Sequence, residues 1–197
     1  MTLTLSDIQL DALKELANIG SAKAAGALST LLAREVDISV ARARVLSLAD
    51  AVATCGDPET EMTSVAIRVA GDLAGEVLML VPAAEARELC ALLGAEPGTE
   101  IGESALREIG NILGTSYLGG LAAMTGLELL PSPPVLVTDM LGALVSSLVV
   151  IVAGVEDLVL LLDSELRVAE EECPMSFMLL PTAGTVAGLL APLGLDS

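Results

Sequence analysis

Two triplets of polar residues repeat along this chain, each with a hydroxyl or carboxylate first, then a glutamate and then an asparagine. The first triplet is Asp11, Glu15 and Asn18. The second, with each member 93 residues later, is Ser104, Glu108 and Asn111. A spacing of i, i+4 and i+7 places three side chains within about 60° of the circumference of an α-helix. The sequence therefore predicts two helical stripes with the same chemistry.

The chemistry open to such a stripe is narrow. A carboxamide is a poor base and nucleophile, but it can hold a water molecule by donating and accepting hydrogen bonds at once. Orienting water for attack on a phosphoryl group is an established task of a side-chain amide. The carboxylate beside it would pair with a cation on a phosphorylated partner. Because no glycine-rich phosphate cradle or metal cluster adjoins either triplet, each stripe predicts half of an active site that a partner completes.

An ordinary solvated helix face is the alternative explanation for either triplet alone. Asparagine costs about 0.5 kcal/mol or more relative to alanine inside a helix, so two asparagines at equivalent mid-helix positions favour a functional role. The surrounding sequence repeats as well, as ELANI at 15–19 and EIGNI at 108–112.

The first half of the chain predicts a long helix over residues 6–33 that carries the first triplet. Ser6 is the expected N-cap, and Gln9 three positions later fits a capping box. Apolar and small residues occupy the side opposite the triplet, namely Leu10, Leu13, Leu16, Gly20, Ala24, Ala27 and Leu31. The elements predicted next are a strand over 36–48, a loop over 51–61, strands over 62–70 and 73–81, and a helix over 83–94 opened by Pro82.

The second half replays this order, beginning with a helix over 100–126 that carries the second triplet. Prolines interrupt the strand predicted over 127–137 and indicate a sheet edge, whereas residues 139–153 are ambiguous between helix and strand. Strands over 157–168 and 172–180 and a short helix after Pro181 complete the prediction. Two such units in tandem predict an α/β sandwich with a pseudo-two-fold axis, a single domain made of repeats of about 1–97 and 98–197.

The composition excludes several classes of function. A chain of 197 residues with 53% hydrophobic and 18% charged residues can bury a sizeable core. The net charge is −18, and the nine basic residues form no cluster, which excludes nucleic acid as a partner because phosphate binding needs clustered cations. The absence of histidine removes Ser-His-Asp and Cys-His triads and most transition-metal sites. Cys55, Cys90 and Cys173 form no C-x-x-C pair, so we expect small buried side chains without disulfides.

The mean hydropathy of +0.74 raises the possibility of a membrane protein. The uncharged stretches 109–127 and 173–195 are long enough to span a bilayer, but polar residues and glycines interrupt the first and prolines the second. Neither has the flanking Lys/Arg bias of a membrane span, and the N-terminus lacks the basic region of a signal peptide. We therefore expect a soluble, cytoplasmic protein without membrane insertion.

The triplets and the residues after them resemble the signature of the CheC/CheX/FliY family of chemotaxis phosphatases, which reads Asp or Ser, x3, Glu, x2, Asn, x22, Pro. The second triplet fits in full, because Pro134 follows Asn111 by 23 positions. In the first, Ala41 stands where the family has proline. The resemblance covers essentially the whole chain, including DMLGA at 139–143, and the presence of two sites resembles the CheC subtype rather than single-site CheX.

This resemblance implies a continuous, mainly antiparallel sheet with two long site-bearing helices on one face, and it favours a helix over 139–153. It also implies a phosphatase that hydrolyses the aspartyl phosphate of a CheY-type response regulator. In the family the asparagine orients the attacking water, a role that carries over to Asn18 and Asn111. The glutamate anchors the partner through the partner's lysine, a role that carries over to Glu15 and Glu108.

The same resemblance gives supporting roles at the partner-binding surface to Asp11, Ser104 and Pro134. It implies no cofactor in this chain, with Mg²⁺ held by the phosphorylated regulator, and CheD as a further partner. We expect a monomer, because one chain already carries both halves. The missing proline at Ala41 predicts that the second site contributes more activity. A non-catalytic CheC-like adaptor that binds a response regulator or CheD is the alternative, and retention of both glutamate–asparagine pairs favours the phosphatase.

Overall fold

Seven strands form one antiparallel sheet in the part of the chain that the computed structural model describes, residues 7–151, 159–168 and 171–182. In chain order the strands are β1 (Val36–Leu46), β2 (Glu61–Gly71), β3 (Gly75–Pro82), β4 (Leu129–Pro131), β5 (Val135–Met140), β6 (Val159–Val168) and β7 (Glu171–Pro181). The helices are α1 (Asp7–Leu32), α2 (Leu48–Cys55), α3 (Ala83–Leu92), α4 (Glu100–Thr125) and α5 (Leu141–Ile151). Across the sheet the order is β1-β6-β7-β3-β2-β4, and β5 pairs with β2 farther along the same edge.

The outer strands of this sheet pair across the two halves of the chain. β1 from the first half pairs with β6 from the second, and β4 and β5 from the second half pair with β2 from the first. β3 and β7 meet at the centre, where Met79 lies opposite Phe177. Each half therefore supplies an outer strand to the other, and the sheet is continuous from edge to edge.

Helices cover both faces of the sheet. α1 and α4 pack on each other and, together with α3, bury one face in a large apolar cluster. α2 and α5 cover a smaller apolar cluster on the opposite face. Side chains of β3 alternate between the two clusters, with Val77 and Met79 in the first and Leu78 and Leu80 in the second. Burial on both faces explains why this strand is almost unbroken in apolar sequence, and the two long helices on one face confirm the expected fold class.

Elements recur along the chain at the spacing of the polar triplets. α1 begins at Asp7 and α4 at Glu100, 93 residues later, and each spans 26 residues. β1 and β4 also begin 93 residues apart, as do α2 and α5. The division into repeats of about 1–97 and 98–197 stays a prediction, since strand pairing joins both parts in one sheet.

The loop predicted over residues 51–61 is wrong for its first part, because α2 occupies it. Ser47 caps this helix: its hydroxyl accepts a hydrogen bond from the Asp50 amide at 3.1 Å and donates one to the Asp50 carboxylate at 2.8 Å. Ala51 is buried in the smaller apolar cluster. The Ser-x-x-Asp pattern at the start of the segment is a capping signal that the sequence interpretation missed.

Other element boundaries need smaller corrections. β1 ends at Leu46, because Ser47 already caps α2. The strand predicted over 127–137 divides into β4 and β5 around its prolines and continues to Met140. Residues 139–153 contain α5, as the family resemblance favours.

The buried face of α1 differs from the prediction at its C-terminal end. Ala27 and Leu31 are exposed rather than buried, because contact with α4 and β1 falls on a neighbouring strip of the helix. That strip consists of Ala17, Gly20, Ser21, Ala24 and Leu28. The predicted N-cap Ser6 and the short helix after Pro181 lie outside the described residues.

The cysteines carry free thiols in the structure. Cys90 and Cys173 are buried, and Cys55 is half-buried. Burial raises the pKa of each thiol, and the carboxylates of Glu85 and Glu88 add to the effect at Cys173, whose pKa reaches about 12. The prediction of small buried side chains is thus confirmed for two of the three.

Within the described ranges, no helix combines the length and the apolar character that crossing a membrane requires.

Candidate functional site

The second triplet lies on the outer side of α4. Thr99 caps the start of this helix by accepting a hydrogen bond from a first-turn amide at 3.2 Å, and Gly126 ends it in the left-handed conformation with φ of 72°. Ser104 and Glu108 are exposed, and Asn111 is half-buried. The opposite side of the helix rests on the sheet through buried residues that include Leu106, Ile109, Gly110, Leu113, Gly114 and Tyr117.

The first triplet occupies the equivalent side of α1. Asp11, Glu15 and Asn18 are all exposed. The buried strip of α1 lies on the other side of the helix, against α4 and β1. The structure therefore places the three members of each triplet along one helix, as the spacing predicts, and the two triplets on separate helices that pack together.

The two helices cross where Gly20 of α1 meets Tyr117 of α4. A Cβ atom at Gly20 would lie 2.9 Å from the Tyr117 Cα atom, so only glycine allows this approach. The Tyr117 hydroxyl is 2.8 Å from that of Ser21 and 3.4 Å from that of Ser164 on β6, and its ring packs on Phe177 with centroids 4.4 Å apart. These contacts join the segment after Asn18 to the segment after Asn111 and fix the relative position of the two stripes.

Ala41, which replaces the family's proline in the first half, occupies a β-bulge. Val40 pairs with Ser164 and Arg42 with Asp163, so Ala41 has no counterpart on β6. A bulged residue is left out of the hydrogen-bond ladder. β1 is moreover an edge strand, so its outer side faces no other strand of the described sheet.

Pro134 lies at the corresponding irregularity of the opposite edge. Pro131 of β4 pairs with Val69, and Val135 of β5 pairs with Ala66, so three residues on this edge face two on β2. Prolines are tolerated at such positions because the missing N–H costs no ladder hydrogen bond. An interruption of strand pairing therefore follows each site helix at positions 93 residues apart, once with alanine and once with proline.

The glutamates and asparagines of the stripes have no side-chain partner among the residues that the structure describes. In the part of the chain that the structure describes, the side chains of Glu15, Asn18, Glu108 and Asn111 make no hydrogen bond or ion pair. The nearby Thr115 hydroxyl donates a hydrogen bond to the main-chain carbonyl of Asn111 at 2.6 Å. The side-chain carboxamide of Asn111 does not take part in this bond. These carboxylate and carboxamide groups are thus available to water and to a partner.

One further signal for the site was present in the sequence. Asn18 and Asn111 are the only asparagines among the 197 residues, and Gln9 is the only glutamine. An ordinary polar surface would use these amides more freely. Their restriction to equivalent positions on the two stripes strengthens the case for a specific task.

Metal ligands are not clustered in the described ranges: no group of three or more histidine, cysteine, aspartate or glutamate side chains there could hold a metal ion.

Comparison with known proteins gives a family and a relative that is similar over almost the whole chain. The family model described as CheC-like matches residues 8–40 and 101–138. These segments hold the two stripes, and the second also includes Pro134, whereas the first ends one residue before Ala41. Over 200 residues, the chain is 32% identical to the CheY-P phosphatase CheC of Bacillus subtilis, and the match covers 96% of each protein.

Solved structures share the fold at lower identity. FliY of Thermotoga maritima matches with a TM-score of 0.74 at 18% identity, over 98% of each chain. A chain in the CheX-CheY-BeF3-Mg complex of Borrelia burgdorferi matches with a TM-score of 0.53 at 16% identity, over 84% of this chain and 96% of that one.

The fold places this chain in the structural class that these solved proteins share, an antiparallel sheet with two long helices packed together on one face. Within that class, this chain belongs to the CheC-like family.

Proposed function

We propose that this protein dephosphorylates the aspartyl phosphate of a CheY-type response regulator. The observation that carries the proposal is the pair of unoccupied glutamate–asparagine stripes on α1 and α4. It is supported by 32% identity to a relative named as a CheY-P phosphatase. A stripe on an open helix face suits a protein substrate that carries its own phosphate, because Glu15 and Glu108 are exposed rather than enclosed.

Asn18 and Asn111 would each orient the attacking water. A carboxamide can accept a hydrogen bond from water through its oxygen and donate one to a phosphoryl oxygen through its nitrogen. It thereby directs a lone pair of the water at phosphorus, opposite the aspartyl oxygen that leaves. Its contribution is positioning, which is the main task of a protein in phosphoryl transfer.

Glu15 and Glu108 would anchor the regulator. Each lies one turn before its asparagine on the same side of the helix, so a glutamate bound to a lysine of the partner sets where the carboxamide enters the partner's site. Asp11 and Ser104, one further turn away, would extend the contact. Mg²⁺ would be held by the phosphorylated regulator and would neutralise charge on the transferred phosphoryl group.

Decay of a phosphorylated cognate regulator, loaded with Mg²⁺ and followed with and without this protein, tests the proposal. We expect accelerated decay, a strong loss of acceleration with Asn111→Ala, a smaller loss with Asn18→Ala and almost complete loss with both. Removing one orienting amide is expected to cost on the order of 2.7–4 kcal/mol at the site concerned, by analogy with an oxyanion-hole donor. Lys23→Ala, an exposed substitution on α1 outside the stripe, is the matched control and should retain the full rate.

Two results would count against this assignment. Unchanged decay with the double asparagine variant would mean that the carboxamides do not position water. Binding of the regulator without any acceleration would favour the alternative function, a CheC-like adaptor, which a titration with a beryllofluoride-activated regulator would reveal.

We further propose CheD as a partner and a monomeric state for the free protein. Both follow from membership of the CheC-like family and from the presence of both stripes in one chain. Light scattering of the purified protein alone and mixed with CheD tests both. A stable dimer of the free chain, or no complex with CheD, would contradict them.

A further inference from the structure

Gly110, the residue directly before Asn111, lets α4 lie in contact with the sheet. A Cβ atom at Gly110 would lie 2.5 Å from Cγ1, 2.6 Å from Cβ and 2.8 Å from Cγ2 of Val65 on β2. Real Cβ atoms do not approach other carbon atoms this closely, because contact distances between carbons are about 3.5–4.0 Å. The helix therefore rests on Val65 at a depth that only glycine permits.

Val65 cannot move aside for a larger residue. It is 1% exposed, and its strand, β2, is paired on both sides, with β3 and with β5. A β-branched side chain has little freedom about χ1, and a hypothetical Cβ at Gly110 would meet all three side-chain carbons at once. A methyl group added at Gly110 must therefore displace α4 rather than the strand.

Gly114, one turn later on the same side of α4, is different. A Cβ atom there would meet only Cδ1 of Ile67 at 2.5 Å, with the next nearest atoms at 3.7 and 3.8 Å. Cδ1 is the far end of a flexible side chain and can rotate away. The close seating of α4 is thus concentrated at the residue next to Asn111.

The first site lacks this contact. Its residue before the asparagine is Ala17, which is buried and lines a small cavity of about 30 Å³ together with Leu162 and Tyr117. Asn18 is exposed, whereas Asn111 is half-buried. The two helices therefore rest differently on the sheet at the positions that precede their asparagines.

We propose that Gly110 is a positioning residue for the second site: its contact with Val65 sets the depth of α4 and, through it, the reach of the Asn111 carboxamide. The inference rests on the proposed function, in which that carboxamide orients water. It makes the two sites unequal for a reason that is separate from Ala41 and Pro134.

Kinetics of the second site alone test this inference, with Asn18→Ala as the background for every variant. Gly110→Ala is expected to lower kcat about 10- to 100-fold, the scale of a misplacement of about 1 Å, while KM for the regulator changes less than about twofold because Glu108 still binds. Gly114→Ala is the matched control and should leave kcat unchanged. Adding Val65→Gly to Gly110→Ala removes all three obstructing carbons and should restore most of kcat in a folded variant.

Nuclear magnetic resonance of the free protein reports on the environment of the Asn111 side chain and does not depend on phosphatase activity. The chain has two asparagines and one glutamine, so its side-chain carboxamides give three pairs of signals that single substitutions assign. Gly110→Ala should shift the Asn111 pair and leave the Asn18 pair in place, and Gly114→Ala should shift neither.

The outcomes separate the two proposals. If neither the intact protein nor the Asn18→Ala parent accelerates decay of the regulator, the proposed function fails, and the carboxamide signals still decide whether Gly110 positions Asn111. Unmoved Asn111 signals in a folded Gly110→Ala variant would overturn the inference. In an active parent, an unchanged kcat, or a loss that a folded Val65→Gly variant does not relieve, would also overturn it.

Discussion

Ala41 and Pro134 occupy equivalent positions, 93 residues apart, where the pairing of a sheet edge is interrupted: Ala41 in a β-bulge of β1 and Pro134 between β4 and β5. The family signature carries proline at both places, and in this chain one of them has been replaced. Proline fixes φ and restricts the residue before it, so it would stiffen the segment beside the site. The alanine leaves the first bulge with more conformational freedom.

Ala41→Pro should therefore be tolerated and should raise the activity of the first site. The bulged residue pairs with nothing on β6, so replacing its N–H costs no hydrogen bond of the ladder. Proline also restricts the unfolded chain, which stabilises the folded protein by about 0.4–1 kcal/mol where the native backbone fits proline. The rate of regulator dephosphorylation in an Asn111→Ala background measures the activity of the first site. Thermal unfolding of the same variants measures their stability. Ser39→Pro, at a paired position of the same strand, is the control that should destabilise. A drop in stability for Ala41→Pro equal to that of the control would refute the prediction.

Glu76 is a buried carboxyl group whose charge opposes folding. It is 8% exposed, and burial raises its pKa, an effect that the Arg68 guanidinium on the neighbouring strand only partly offsets. A carboxyl whose pKa is higher in the folded state contributes stability that is present below its unfolded pKa of about 4.3 and is lost as pH rises through the folded value. At neutral pH this group is therefore destabilising.

Glu76→Gln should accordingly raise the free energy of unfolding at pH 7, and the gain should shrink as the pH falls towards about 4.3. Urea unfolding across this pH range measures the effect. The exposed Glu35→Gln should produce no comparable gain. A Gln variant less stable than the parent at pH 7 would mean that attraction to Arg68 outweighs the cost of burial.

At the scale of elements, the short helix α2 depends on its cap. Eight residues form only two turns, and helices this short are marginal without capping and packing. Its only buried residue among those described is Ala51. The Ser47 hydroxyl satisfies one of the free amides of the first turn and orients the Asp50 carboxylate there, where the helix dipole favours negative charge.

Ser47→Ala should lower the free energy of unfolding by about 1 kcal/mol, because the Asp50 amide loses its side-chain acceptor. Chemical denaturation measures the change. Ser39→Ala, an exposed serine that caps no helix, provides the comparison and should be near neutral. Since α2 lies on the sheet face opposite α1 and α4, phosphatase rates at low temperature should not change. A loss of activity with intact folding would contradict that separation of the two faces.

At the scale of the whole molecule, the strand pairing makes the two halves mutually dependent. β1 finds its partner β6 in the second half, and β2 finds β4 and β5 there. A half on its own would expose long unpaired strand edges and the central edges of β3 or β7, which invite association. The buried crossing of α1 and α4 would be lost as well.

Neither residues 1–97 nor residues 98–197 should form a stable monomer, whereas the two expressed together should assemble into one complex. Circular dichroism and light scattering of each half and of the mixture test this. Cooperative unfolding of an isolated monomeric half would refute it. The intact chain should unfold in one cooperative transition, because no boundary divides its sheet.

The repeat spacing, the helical stripes and the long helices could be predicted from the sequence because they depend on local periodicity. Side chains seven positions apart share a helix face wherever the helix packs, so the grouping of each triplet on one side of its helix followed from spacing alone. The missed helix α2 had a local signal too, in Ser47 and Asp50, which an apolar-pattern reading overlooked.

Only the tertiary structure decided which strands pair, how deeply each site helix lies and which residues meet at its base. Nothing local distinguishes Gly110, held against Val65, from Gly114, which meets one movable atom, because the difference lies in a strand about 45 residues away. The bulge at Ala41 likewise exists only relative to β6. The sequence by itself determined two matching stripes of reactive groups, and contacts between distant segments made one of them sit deeper than the other.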